Sequence, residues 1–218
     1  METDEMGHDQ AGLTQECPPT VYLVDDQEID LELMKRWCNG AGLVSCCFDD
    51  PETLLATLSA ESVGCVVADL RMPRIDGLEL QAEIQHRGWT IPVILVTGHG
   101  DAENCRTAFQ QGAFDFIEKG YQPQQVIQAI ERAIRQSQRD GFQKSVREHA
   151  RSLLSKLSPR EGEVMRFLSS GMSLKQIATE LNISVQTASK HRTSIFTKMR
   201  IDNEVDLYKT LLAAEIDS

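Results

Sequence analysis

From residue 21 onward, short apolar runs alternate with longer stretches of helical period. The runs are VYLV (21–24), CVVA (65–68), VILV (93–96) and FDFI (114–117), with a fainter one, LVSCCF, at 43–48. All are rich in β-branched or aromatic side chains, and those starting at 21, 65 and 93 lack polar alternation, the mark of strands covered on both faces. Between them Leu31/Met34/Cys38, Leu54/Leu55/Leu58, Leu80/Ile84, Ala102/Cys105/Phe109 and Val126/Ile127/Ile130/Ala133/Ile134 recur at three- and four-residue steps, each marking a one-faced helix. Five strand–helix pairs predict an α/β fold with a doubly wound, five-stranded parallel sheet. Such sheets bind ligands at the carboxyl ends of their strands.

After Ile134 the chain becomes polar but mostly compatible with a helix, with one interruption at Asp140-Gly141. A new unit opens at Ser158-Pro159-Arg160-Glu161, where Ser at the cap, Pro at the first helical position and Glu three residues on form a helix start. Further starts at Ser173, Ser184 and Asn203 predict a small all-α domain. At the other end, residues 1–18 are rich in Asp, Glu, Gly and Thr and have too little apolar surface to order themselves. The expected organisation is a disordered tail over 1–18, an α/β domain over 19–136, a largely helical linker over 137–154 with a break at Gly141, and a helical domain over 155–218.

Charge sharpens this division. The 218-residue chain carries a net charge of −11, but residues 1–139 hold 10 basic and 23 acidic side chains, whereas 144–200 hold 11 basic and 4 acidic. An acidic front and a basic back imply different partners. All six cysteines lie in the first half without zinc-type spacing, so reduced thiols are expected. The acidic start lacks the basic and apolar segments of a signal peptide, and no apolar run approaches the roughly 20 residues that span a bilayer. A cytoplasmic protein with no membrane contact is expected.

Three aspartates fall at strand ends: Asp25 and Asp26 after the first run, and Asp69 after the third. Adjacent parallel strands would crowd them at one edge of the sheet, where mutual repulsion is relieved by a hard divalent cation such as Mg2+. Thr97 and Lys119, at the ends of the fourth and fifth strands, bring a hydroxyl and an ammonium to the same rim. A nucleophilic carboxylate, a cation and donors for equatorial oxygens are what phosphoryl transfer requires. Taken singly, Asp25 could be a helix cap, Phe116 a core aromatic and His99 an exposed loop residue.

These residues sit in motifs, VDD (24–26), DLRMPRIDG (69–77), TGHG (97–100) and FIEK (116–119), that resemble the receiver domain of bacterial two-component response regulators across residues 20–137. The resemblance implies that Asp69 is the phosphoacceptor, and that Asp26, Asp69 and the backbone carbonyl of Arg71 hold Mg2+, with Asp25 acting directly or through water. It implies that Lys119 pairs with the phosphoryl group, that Thr97 donates to it, and that Phe116 turns inward as a switch. The switching face would include Phe109, Phe116, Val126 and Ile130. Gly120 stands where the family usually has a proline in a cis peptide, so a loop that is trans, or looser than usual, is expected after Lys119.

In the second domain, Val164/Phe167/Leu168, Ile177/Ala178/Leu181 and Val185/Ala188/Ile195/Met199 give three apolar faces that can bury one another. A short turn at 181–184 and a following helix with Lys190, His191, Arg192 and Lys198 predict a helix-turn-helix suited to the DNA major groove, although a basic helix face taken alone is more often merely solvated. The stretch 152–214 resembles the LuxR-type DNA-binding domain, with Ala188 where valine is common. Together the two halves resemble the FixJ/NarL type of response regulator. By position, Ser189, Lys190 and Thr193 would face base edges. Lys175, Ser184, Thr187, His191, Arg192 and Lys198 would meet phosphates.

The resemblance implies a phosphorylation-dependent transcriptional regulator, not an enzyme, served by a sensor histidine kinase. It would dimerise on phosphorylation and act on double-stranded DNA, with RNA polymerase as a further partner. Two rivals stay open at this point. A Mg2+-dependent phosphohydrolase would want an acid/base Asp two residues after its nucleophile, where Arg71 stands. A receiver that is never phosphorylated would serve as a constitutive scaffold.

Overall fold

The computed structural model describes residues 18–98 and 112–215. The expected tail, the helix anticipated around Ala102–Phe109, and His99 lie outside the described residues. The described residues fall into two compact units, the first ending at residue 141 and the second beginning at residue 142.

The first unit is built on five parallel strands, β1 (Thr20–Val24), β2 (Val44–Phe48), β3 (Gly64–Asp69), β4 (Val93–Thr97) and β5 (Asp115–Glu118), in the order β2-β1-β3-β4-β5. Strands β3 and β4 are buried at every position, which explains their unbroken apolar text. Strand β2 lies at one edge, half exposed, and its apolar signal is correspondingly weak. Alternate residues of each inner strand feed two cores. Val24, Val66, Ala68, Val93 and Leu95 pack with Leu54, Leu55, Leu80 and Ile84 from helices α2 (Pro51–Thr57) and α3 (Gly77–His86). Val21, Leu23, Cys65, Val67, Ile94 and Val96 pack with Leu31, Met34, Val126 and Ile130 from α1 (Glu28–Gly40) and α4 (Pro123–Leu154). The doubly wound sheet expected from the sequence is present.

Two expectations need correction. Val126 and Ile130 are 1% and 0% exposed, so they form core rather than a docking face. Helix α4 also runs through Gly141 without a break. A single interior glycine costs only about 1 kcal/mol relative to alanine. Gln138, Arg139, Gln143 and Lys144 around it are good helix formers, and Gln136 donates to Asp140 at 2.8 Å.

The second unit contains α5 (Pro159–Ser169), α6 (Leu174–Glu180), α7 (Val185–Met199) and α8 (Glu204–Glu215) around Val164, Ile177, Ala188, Ile195, Met199 and Leu207. All four expected starts are caps: Ser158 and Ser173 close reciprocal capping boxes, Ser184 accepts from the Thr187 amide, and Asn203 accepts from the Asp206 amide. The turn between α6 and α7 passes through Asn182 in a left-handed conformation, φ 52°, which Asn tolerates better than most residues.

Candidate functional site

The parallel register of β1 and β3 sets Val24 beside Ala68, so Asp25 and Asp69 emerge next to each other from adjacent strands. Asp25 is 0% exposed and Asp69 6%. Asp25 Oδ1 accepts the Gln27 amide at 2.9 Å, and Asp69 Oδ2 accepts the Arg71 amide at 2.7 Å. Each carboxylate is thus aimed by the turn that follows it. Helix α3 begins close under this turn, and a Cβ at Gly77 would lie 2.6 Å from the Asp69 carbonyl oxygen, so only glycine fits there.

From the other side, Thr97 ends β4 at 1% exposure, in register with Glu118 of β5. The Lys119 amide donates to the Thr97 carbonyl, continuing the ladder and delivering the lysine to the pocket. The Lys119–Gly120 peptide is trans, and Gly120 adopts φ 103°. The ammonium lies 2.9 Å from Asp69 Oδ1, 3.4 Å from Asp25 Oδ2 and 2.6 Å from Asp30 Oδ2. Phe116 is half-buried against the α2–α3 core and pairs with Leu95.

The electrostatics follow from this crowding. Burial pushes the Asp25 carboxyl above its ordinary value; the Gln27 amide and Lys119 oppose the shift, while Asp69 and Asp30 add to it. Burial tends to lower the Lys119 value, but hydrogen bonds to Asp30 and Asp69 and the pull of the nearby carboxylates carry it above the ordinary range. The ammonium therefore stays charged.

The donor set for a metal is all oxygen and fits a hard divalent cation. Lys119 gathers Asp25, Asp69 and Asp30, whereas Asp26 stands exposed at the rim. Among the described residues no three His, Cys, Asp or Glu side chains converge as a metal cage. Asp30 was not anticipated from the sequence, where an acid in the first turn of a helix is already accounted for by the helix dipole.

In the second unit, Ser189, Lys190 and Thr193 are exposed along one face of α7, with Gln186 beside them at the three- and four-residue spacing of that face. Lys175 is exposed on α6. Ser184 and Thr187 are bonded to each other at 2.8 Å as part of the α7 cap, and His191 is half-buried. Arg192 lies 2.7 Å from Glu204 and stacks 4.3 Å above the Phe196 ring. Lys198 lies 2.6 Å from Glu161. Two candidate phosphate contacts therefore also have acidic partners within the domain.

Glu161 does more than its capping position suggests. At 5% exposure it accepts from the Ser158 amide at 2.7 Å, the Ser194 hydroxyl at 2.6 Å and Lys198, tying the start of α5 to α7. Those bonds, Lys198 and Ser194 foremost, hold its carboxyl down to about 2. In the sequence that second role leaves only the four-residue spacing of Ser194 and Lys198 on one face of α7, which does not point to Glu161.

A carboxylate pocket with a lysine at the strand ends of a doubly wound sheet, followed in the same chain by a capped helix-turn-helix, defines a signal-receiving module joined to a DNA-reading one. The family model for the response regulator receiver domain matches residues 21–131, and that for bacterial regulatory proteins of the luxR family matches 144–211. The chain is 34% identical over 194 residues to the transcriptional regulatory protein FixJ of Bradyrhizobium diazoefficiens, covering 89% of this chain and 95% of that protein. It is 31% identical over 189 residues to the response regulator protein TodT of Pseudomonas putida, covering 87% and 83%. Among solved structures, the low-resolution structure of the response regulator StyR aligns with a TM-score of 0.84 at 31% identity, covering 90% of this chain and 99% of that one. Full-length FixJ from B. japonicum aligns at 0.55 and 33%, covering 92% and 98%. The chain belongs to the response regulators that join a receiver domain to a LuxR-type DNA-binding domain, and it is a phosphorylation-dependent transcriptional regulator.

Proposed function

We propose that Asp69 is the phosphoacceptor and that its phosphorylation by a sensor histidine kinase governs binding of the α7 face to double-stranded DNA. The observation that carries this reading is the placement of Lys119, 2.9 Å from a nearly buried Asp69, with Thr97 at the end of the neighbouring strand. An oxygen of Asp69 attacks phosphorus as the bond to the donor breaks. Lys119 and the Thr97 hydroxyl then meet the new phosphoryl oxygens. Asp26, Asp69 and the Arg71 carbonyl would hold Mg2+, with Asp25 acting directly or through water. The bound ion supplies charge neutralisation for the transferring group. Arg71, where a hydrolase acting through an aspartyl phosphate would want an acid, supports an acceptor rather than an enzyme of phosphate-ester turnover.

Movement of Thr97 and of half-buried Phe116 would then shift a two-state equilibrium in the receiver. In the second unit, exposed Ser189, Lys190 and Thr193 would contact base edges, with Gln186 as an added candidate because an amide pairs well with adenine. Lys175, His191 and the other basic residues would contact phosphates. Val205, Tyr208 and Leu212, 63%, 53% and 47% exposed, make an apolar stripe on α8 suited to a second copy of the chain. Dimerisation on phosphorylation would present two α7 helices to half-sites about one helical turn apart. RNA polymerase and a cytoplasmic setting belong to the same reading; among the described residues no helix is long and apolar enough to cross a membrane.

Labelling with acetyl phosphate in Mg2+ tests the acceptor. The expected result is a hydroxylamine-labile label on wild type and none on Asp69→Ala. Absence of label on the wild type would favour the scaffold rival, and steady release of phosphate from esters would favour the hydrolase.

A further inference from the structure

The lysine that serves the phosphoryl group is steered by a residue outside the expected constellation. Gly120, next in the chain, has φ 103° and open space where a Cβ would lie, so no side chain follows Lys119 to wedge the loop in place. The Lys119 amide bond to the Thr97 carbonyl places the backbone, and the direction of the side chain is set at the ammonium end. An ammonium has three donors, and three carboxylates surround it here. Asp25 is the most distant, at 3.4 Å. Asp69 is consumed by the chemistry, since one of its oxygens becomes bonded to phosphorus. Asp30 has the shortest contact, 2.6 Å, and is untouched by the reaction. It is also anchored, because it lies in the first turn of α1 with its amide bonded to the Gln27 carbonyl at 3.0 Å.

We propose that Asp30 is a positioning residue for Lys119: its carboxylate holds the ammonium over the pocket before and after phosphoryl transfer. The inference rests on the acceptor role of Asp69 given above. With two exposed side chains such a pair would contribute little. Lys119 and Asp30 are 28% and 32% exposed, however, and the ammonium also contacts the buried Asp25 and Asp69, so a fixed geometry can be maintained. The tether also clarifies why a loop without a stiff residue after the lysine still delivers the lysine to the site. When Asp69 takes up the phosphoryl group, the donor that faced its carboxylate turns to a phosphoryl oxygen, and the donor on Asp30 stays in place.

The test uses full-length protein and two independent readouts. The first is the side-chain ammonium resonance of Lys119 in metal-free protein, assigned by its loss in Lys119→Arg. A tethered ammonium exchanges slowly enough to be seen, and the signal should vanish in Asp30→Ala and persist, weakened, in Asp30→Asn. The second is the initial rate of acetyl phosphate labelling at saturating Mg2+, which should fall about tenfold in Asp30→Ala, about threefold in Asp30→Asn, and recover toward wild type in Asp30→Glu. A merely structural role would not produce this ordering. If Asp30→Ala is unstable, the isosteric Asp30→Asn carries the test. A wild-type ammonium signal and a labelling rate within about twofold in a folded Asp30→Ala overturn the proposal. Failure of the wild type itself to be labelled sinks the acceptor reading, and the ammonium signal still decides whether Asp30 holds the lysine.

Discussion

The two units place their charges in opposite ways. In the first, carboxylates crowd at the ends of buried strands and a single ammonium offsets them, so Asp25 resists ionisation. In the second, most charges face water, and the one carboxylate buried among its described residues, Glu161, is surrounded by donors that hold it ionised. The first arrangement is poised to respond, because the carboxylates outnumber the one ammonium among them and a cation or a phosphoryl group changes that balance. The second is fixed: its buried anion locks the helices together while the exposed cations of α6 and α7 remain available to an anionic polymer.

The largest effect should come from breaking the lock. Glu161→Ala leaves Lys198 and the Ser194 hydroxyl without their shared acceptor, and should destabilise the second unit by about 3 kcal/mol. Amide hydrogen exchange resolved by peptide should show the loss in α5–α8 alone. Both tryptophans, Trp37 and Trp89, lie in the first unit, so their fluorescence should unfold at an unchanged denaturant midpoint.

Acid separates the units next. Glu161 has a depressed value, so its contribution is full above 4.5 and is lost as pH falls toward about 2; the loss should amount to about 2–3 kcal/mol. Asp25 has the opposite sign. Its raised value means that its protonation favours the folded state, a contribution that is full below the ordinary 3.8 and is lost as pH rises through the folded value. Wild type should therefore gain stability relative to Asp25→Asn as the solution is acidified toward 3.8. A urea series followed by tryptophan fluorescence would detect the gain, and a flat difference would remove the contrast.

Smaller changes sharpen the second half. Lys190→Ala should weaken DNA binding by about 1.4 kcal/mol, or tenfold, and alter sequence preference. Lys175→Ala should weaken all sequences alike and reduce the slope of affinity against salt by about one ion. Titrations at several salt concentrations separate the two. Equal loss of selectivity in both variants would contradict the division between base and phosphate contacts.

The contrast also accounts for what the sequence revealed. Inner strands were legible because both faces are buried, and the caps because Ser158, Ser173, Ser184 and Asn203 each need a side-chain oxygen at one position. Asp25, Asp69, Thr97 and Lys119 were legible as a set because parallel strands end together. Asp30 was not, since its role depends on where a side chain from another strand comes to rest. The second function of Glu161 was hidden for the same reason, its partners lying 33 and 37 residues away. Val126 and Ile130 were misplaced because apolar periodicity marks a face without saying whether core or partner covers it. Gly141 does not interrupt its helix because a modest penalty is spread over 32 residues.

Charge arriving at Asp69 should be felt on α7, and affinity for bound genomic DNA fragments, measured with and without beryllofluoride and Mg2+ in wild type and Asp69→Ala, reads that coupling out. The account predicts that the phosphoryl mimic tightens wild-type binding by at least about tenfold, the scale of a typical coupling energy, and leaves Asp69→Ala unchanged. Equal wild-type affinity in both conditions, with tryptophan fluorescence reporting that the mimic has bound, would contradict it.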